Sequence, residues 1–205
     1  GVGLVGSEMC IRDSDDADGK KYLESLRSAG VDHIGVSSKE SDMPTGKCLI
    51  LVTPDAKRTM SSMLGVSAFL ATSDIKFDVI DDSKIFYIEG YMVTSEENFG
   101  AVISVLEHLE DKNTLKALSL SDAGIVNAFK DKFDQILSYG IDMIFCNDDE
   151  AIAFSSKDNL NQAIEFYKKQ SYMIAITKGA EGSTIVSDGK AVSYTHLRAH
   201  ETNSN

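Results

Sequence analysis

From Lys84 onward the chain alternates between two kinds of apolar pattern. Short continuous runs, which suit buried strands, are separated by stretches where apolar residues return every third or fourth position, which suits helices. Ile85–Ile88 predicts a strand, and Ser95 caps a helix carrying Phe99, Val102, Ile103, Leu106 and Leu109. Leu115–Leu120 predicts a second strand. Asp122 then caps one helix presenting Ile125, Val126, Phe129, Phe133, Ile136 and Leu137. Ile141–Cys146 is a third strand, followed by an acidic turn and two helices, the second using Leu160, Ala163, Ile164 and Tyr167. Met173–Thr177 is a fourth, followed by a glycine turn and a hairpin about Ser187–Lys190. Strands and helices in this order predict an α/β fold with a mostly parallel sheet and right-handed crossovers.

The front of the chain has a different rhythm. Asp18 caps a helix through about Ala29, with Tyr22, Leu23 and Leu26 on one face and Gly30 ending it. Lys47–Thr53 and Arg58–Met63 read as a hairpin about the turn Pro54–Lys57. Its outward face carries little alternating polarity, so the pattern requires something to cover it. A small β appendage, a lid spanning about 33–63, is the natural reading.

Composition narrows the class of ligand. With a formal net charge of -12, the chain lacks the basic face that nucleic acid or an anionic membrane needs. ATP remains compatible, because Mg²⁺, a few cationic side chains and local N–H dipoles can meet its phosphates. No apolar run approaches the roughly 20 residues of a membrane span, and no signal-peptide pattern is present. Cys10, Cys48 and Cys146 are too widely spaced for a CxxC pair, and their odd count suits a reducing, cytoplasmic setting. Cys48 and Cys146 fall inside apolar runs, which predicts core packing for both.

Residues 1–14 and about 193–205 lack helical or strand periodicity and resemble translated sequencing-adapter peptides. They are expected to be foreign to the folded unit, which leaves 15–192 as the genuine part. Two motifs thereby lose their weight. Gly1-Val2-Gly3-Leu4-Val5-Gly6 spells GxGxxG but follows no strand, and His196 and His200 lack the glutamate placement of a zinc helix.

Candidate chemistry lies just past two strands, where open α/β sheets bind ligands. Asn147 and Glu150 stand three residues apart at a strand-to-helix junction, so both can project to one side. An amide and a carboxylate can orient the waters of a hydrated Mg²⁺. The same spacing is that of a capping box, and the two roles are compatible. Thr177-Lys178-Gly179-Ala180-Glu181-Gly182 offers a glycine-loosened turn whose N–H groups can face phosphate, or simply a turn. Arg58, opening the returning hairpin strand, can close onto a transferred phosphate, or stand with Lys57 as a solvated pair.

Taken together, Pro44-Thr45-Gly46-Lys47-Cys48, Thr53-Pro54-Asp55, Arg58-Thr59-Met60, Tyr87-Ile88-Glu89-Gly90-Tyr91, Ser119-Leu120-Ser121-Asp122, Asn147–Glu150 and Thr177–Gly182 resemble the PfkB carbohydrate and nucleoside kinase family. The similarity is greatest to its adenosine-kinase-like branch and runs from about Asp15 to Val192. The resemblance implies a ribokinase-like three-layer sandwich with a small β lid, incomplete at both ends. Carried over by position, Asn147 and Glu150 would organise Mg²⁺, while Thr177, Gly179 and Gly182 would border ATP. Met60, Ser62, Leu64 and Tyr91 would line the acceptor pocket, and Arg58 would approach the transferred phosphate.

The family's Gly-Gly-Asn substrate motif and its early Asp have no counterpart here, and Ala123-Gly124 stand where relatives often have Pro and an aromatic. The Gly-Ala-Gly-Asp segment carrying the anion hole and base is expected beyond about residue 192. The resemblance therefore implies ATP-dependent phosphorylation of a nucleoside or sugar by the parent enzyme, with this chain silent. Losing a base costs about 10²–10⁴ in rate. A sugar-kinase specificity, or a non-catalytic module that forms homodimers through the lid, are the alternatives.

Overall fold

The structure, a computed structural model, describes residues 7–9, 12–33, 36–38, 43–54 and 58–195. These divide into two compact units. The first comprises residues 1–79 and 95–104, the second 80–94 and 105–205.

In the first unit, strands β1 (Ser7–Met9) and β2 (Arg12–Ser14) precede helix α1 (Ala17–Ser28), followed by β3 (Val31–His33) and β4 (Val36–Ser38). β1 pairs with β3 and β2 with β4, all in parallel. Strands of three residues are too short to show a period, so β1 and β2 left no pattern in the sequence. The cap of α1 is Asp16 rather than Asp18: its Oδ1 accepts from the Gly19 amide at 2.8 Å. Asp18, two residues further in, is free to pair with Lys47 at 2.7 Å.

The predicted hairpin forms from β5 (Lys47–Val52) and β6 (Arg58–Met63), antiparallel over six residue pairs. Its tip at 55–57 lies outside the described residues. Opposed residues share a face. Cys48, Ile50, Met60 and Ser62 therefore point one way, and Leu49, Leu51 and Met63 the other. Leu49, Ile50, Leu51, Val52, Met60 and Met63 are all exposed. Cys48 is exposed as well, contrary to the expectation of core packing, because among the described residues no second layer covers the hairpin.

After a 3-10 turn over Gly65–Phe69, helix α2 (Phe77–Asp81) and helix α3 (Glu96–His108) were respectively invisible and legible in the sequence. Asn98 ties the start of α3 to that turn, accepting from the Leu70 amide at 2.9 Å and donating to the Ser67 carbonyl at 3.0 Å. Within α3, Ala101 and Val105 are buried beside Val102 and Leu106, whereas Phe99 and Ile103 sit half-buried at the edge of that face.

The second unit is built on a sheet of β7 (Ile85–Glu89), β8 (Leu115–Ser119), β9 (Met143–Asn147), β10 (Met173–Thr177), β11 (Ser183–Ser187) and β12 (Lys190–Tyr194). The strand order is β12-β11-β10-β9-β8-β7, parallel from β7 to β10 and antiparallel beyond. The parallel strands are laid down in one direction across the sheet. Right-handed crossovers therefore put the helices between β8 and β10 on one face. These are α4 (Ala123–Ala128), α5 (Lys130–Ser138), α6 (Asp148–Ser155) and α7 (Leu160–Tyr167). The sequence suggested one helix where α4 and α5 stand. Phe129 leaves helical geometry at φ -126°, ψ 34°, and the chain turns there. Both halves keep their apolar residues inward, so the 3.6-residue pattern survives the break.

Burial follows the same logic. Ile88, Leu118, Ile144, Ile174 and Val186 form one row across five strands by register, each no more than 2% exposed. Val126, Phe133, Ile136, Ala151, Ala163 and Tyr167 are buried on the helices. Phe133 and Phe154 meet edge to face at 6.2 Å, and the Tyr167 hydroxyl donates to the Ala151 carbonyl at 2.7 Å. Each such side chain contributes roughly 1.5–3 kcal/mol of transfer free energy. On the opposite face Ile85, Tyr87, Leu115 and Phe145 remain exposed.

Candidate functional site

The carboxyl ends of β9 and β10 lie side by side, and Asn147 and Thr177 are direct register partners. The acidic turn and the glycine turn thus occupy one rim of one sheet. The Thr177 hydroxyl strengthens the junction by donating to the Cys146 carbonyl at 3.3 Å.

At the first corner the capping box is complete. Asn147 Oδ1 accepts from the Glu150 amide at 2.8 Å. In return, Glu150 Oε2 accepts from the Asn147 amide at 3.0 Å and Oε1 from Asn147 Nδ2 at 2.8 Å. Both carboxylate oxygens are thereby held, and the side chain is buried. Burial raises the Glu150 pKa, the bond from the Asn147 amide works against it, and the charges of Asp122, Asp149 and Asp148 add to the rise. Such a corner gains from a cation. Among the described residues no three His, Cys, Asp or Glu side chains converge as a ready metal cage. An amide oxygen and a carboxylate are donor types that can meet a hydrated Mg²⁺ through its waters.

The second corner closes on itself more than the sequence suggested. The Lys178 amide donates to the Gly182 carbonyl at 2.8 Å, Glu181 to Lys178 at 3.1 Å and Gly182 to Gly179 at 3.2 Å. Those three N–H groups are spent. Among the described residues, the amides of Gly179 and Ala180, the first of the short 3-10 turn Gly179–Glu181, meet no acceptor. Gly182 sits at φ +87°, and a Cβ there would meet the Tyr194 carbonyl oxygen at 1.9 Å. Only glycine lets β12 close beside the turn.

Further along the rim, Ser121 adopts φ +66° and its hydroxyl donates to Glu89 Oε2 at 3.2 Å. Asp122 caps α4 through the Ile125 amide at 3.0 Å. Tyr91 is exposed on the 3-10 turn Gly90–Thr94 that follows β7, and Lys132 holds that turn by donating to the Val93 carbonyl at 3.0 Å. Lys132 escaped the sequence reading. The acidic run was visible, but its effect on Glu150 depends on the turn geometry.

Met60, Ser62 and Leu64 belong to the first unit and Tyr91 to the second. Met60 and Ser62 share a hairpin face with Cys48, whose sulfur accepts from the Ser62 hydroxyl at 3.3 Å, and Leu64 follows the strand at the hairpin's root. Arg58 opens β6 opposite Val52; its side-chain placement lies outside the described part of the structure.

Comparison with known proteins places this geometry. The adenosine kinase of Schizosaccharomyces pombe is 22% identical over 189 residues, covering 84% of this chain and 54% of that protein. The crystal structure of adenosine kinase from Sinorhizobium meliloti superposes with a TM-score of 0.87 at 26% identity, over 94% of this chain and 59% of the other. A probable sugar kinase from Rhizobium etli CFN 42 gives 0.88 at 24% identity, over 96% and 60%. The chain thus spans between half and two-thirds of the length of these relatives. The model of the pfkB family carbohydrate kinases matches residues 11–203, and the chain belongs to that family.

Proposed function

We propose that the protein to which this chain belongs transfers the γ-phosphate of ATP to a hydroxyl of a nucleoside, with adenosine the first candidate. One observation carries the reading: Asn147 and Thr177 are register partners, so the metal-orienting corner and the phosphate-facing turn can serve one triphosphate. The names of the relatives from S. pombe and S. meliloti support adenosine as acceptor.

In this scheme Asn147 and Glu150 orient the waters of Mg²⁺, which supplies charge neutralisation on the phosphates when bound. Thr177, Gly179 and Gly182 border the nucleotide, with the Gly179 and Ala180 amides toward phosphate. Arg58 meets the transferred group. Met60, Ser62 and Leu64 contact the acceptor, and Tyr91 stacks on its base or sugar. Catalysis of this kind rests on positioning and electrostatic stabilisation, with a base to take the hydroxyl proton. The Gly-Ala-Gly-Asp segment expected to supply that base is not found in the 205 residues. The chain alone is accordingly proposed to bind nucleotide without turnover, in a cytoplasmic setting. Steady-state competition among adenosine, ribose and fructose, run on a chain extended to the relatives' length, tests the substrate. Preference for a free sugar would replace the nucleoside reading with the sugar-kinase one.

The exposed hairpin favours a second reading, a lid that pairs with the lid of another copy. Light scattering with and without nucleoside separates the two. Ligand-independent dimers support pairing, and monomers under both conditions refute it.

A further inference from the structure

The turn that carries Tyr91 is held at three places. At its start, a Cβ on Gly90 would lie 2.6 Å from the Ser119 carbonyl oxygen and 2.7 Å from that of Leu120, so the chain leaves β7 pressed against the end of β8. Inside the turn the Thr94 hydroxyl donates to the Tyr91 carbonyl at 2.7 Å. At its far side Val93 is fully buried, and its carbonyl accepts from Lys132 Nζ at 3.0 Å. The first two contacts are local to the ends of β7 and β8. The third comes from a residue 39 positions further along the chain.

Lys132 stands in the first turn of α5, at the positive end of the helix dipole, where an ammonium group is disfavoured. Two electron-rich partners offset that. One is the Val93 carbonyl, and a hydrogen bond from a charged donor is the stronger kind. The other is the ring of Phe129, whose centroid lies 5.4 Å from Nζ. Phe129 is also where the chain leaves helical geometry, and α4 and α5 both pack on the Gly90–Thr94 turn. The break that the apolar periodicity conceals thus has a use, since it sets ring, ammonium group and turn together. Tyr91 is exposed and stands two residues before Val93, so what fixes Val93 fixes the stem from which the Tyr91 ring projects.

We propose that Lys132 is a positioning residue for the acceptor. By holding the Val93 carbonyl it fixes the turn that presents Tyr91, and with it the seat of a nucleoside base or sugar. The consequence for the acceptor rests on the role given to Tyr91 above; the bracing of the turn does not.

Lys132→Met keeps the length of the side chain and removes the charge and the donor, and Lys132→Arg returns both. The full 205-residue chain, labelled with 3-fluorotyrosine, reports the turn by fluorine NMR, with the Tyr91 line identified by its loss in Tyr91→Phe. The wild type should give one narrow Tyr91 line. In Lys132→Met that line should broaden by roughly twofold or more, or split, while the lines of buried Tyr167 and Tyr172 stay in place. Lys132→Arg should restore it. Adenosine titrated into the same samples should bind about fivefold or more weakly to Lys132→Met than to the wild type or Lys132→Arg. Lost stability alone would move the Tyr167 and Tyr172 lines too and would not be rescued by arginine.

An unchanged Tyr91 line in Lys132→Met would overturn the proposal. If that variant does not fold, Lys132→Gln, shorter and uncharged, carries the same decision. A Tyr91 line that responds while adenosine affinity does not would overturn it through Tyr91 instead, because the brace would then serve no acceptor. So would a wild type that adenosine leaves untouched, which fails the nucleoside reading as well. Whether the Tyr91 line moves tells the two failures apart.

Discussion

Glu150 is the buried carboxylate of the candidate site. Its raised pKa means that the folded state holds the proton more tightly than the unfolded chain. The Glu150-dependent part of stability is therefore greatest in acid and falls as pH rises above the ordinary glutamate value of 4.5. Glu150→Gln keeps the capping pattern without the charge, so denaturant melts of the variant should show a flatter pH dependence across that window. Equal slopes in wild type and variant would contradict the assignment. A Mg²⁺ ion draws the same proton off, so nucleotide binding in Mg²⁺ should strengthen with rising pH in the wild type and not in the variant. Asp16 has the opposite sign. Hydrogen bonds from Gly19 and Thr45 lower its pKa to about 2. Its contribution is complete above the unfolded value of 3.8 and lost as pH falls toward 2. Amide exchange in α1 should accelerate across that interval in the wild type, and far less in Asp16→Asn.

At the scale of elements, the glycine turn is the most exacting piece of backbone. Gly182→Ala should cost about 1–3 kcal/mol from its left-handed φ alone, and the clash with Tyr194 should loosen β12 as well. Urea unfolding together with exchange at Lys190–Tyr194 checks both, and a variant of wild-type stability would refute the geometry. Elements of this kind were unevenly legible in the sequence. The runs at Leu115–Leu120, Ile141–Cys146 and Met173–Thr177 announced their strands because both apolar content and length pointed the same way. The kink at Phe129 did not, since both helix halves keep one periodic stripe across it. Asp16 and Asp18 are chemically equivalent as caps, and only the approach of Thr45 to one and Lys47 to the other distinguishes them. The exposure of Cys48 was hidden for another reason: an apolar strand reads the same whether or not a layer lies over it.

For the molecule as a whole, the position of the candidate site was legible because topology brings the ends of consecutive parallel strands to one rim. The spent amides of Lys178, Glu181 and Gly182 were not legible, because they depend on how tightly one turn closes. The second unit exposes an apolar sheet face bearing Ile85, Tyr87, Leu115 and Phe145, and the first a hairpin apolar on both sides. The chain should bind the dye ANS, and Ile85→Thr with Leu115→Thr should reduce that binding while shifting stability by less than about 1 kcal/mol, as exposed sites do. Undiminished dye binding would place the exposed surface elsewhere. The central claim is tested most directly by amide chemical-shift mapping of a non-hydrolysable ATP analogue on the full chain, with and without Mg²⁺. The account predicts Mg²⁺-dependent shifts at Asn147–Glu150 and at Gly179–Gly182 together, and at least tenfold weaker binding in Glu150→Gln. Shifts at only one of these corners, or at the opposite rim around Lys112–Thr114, would contradict it.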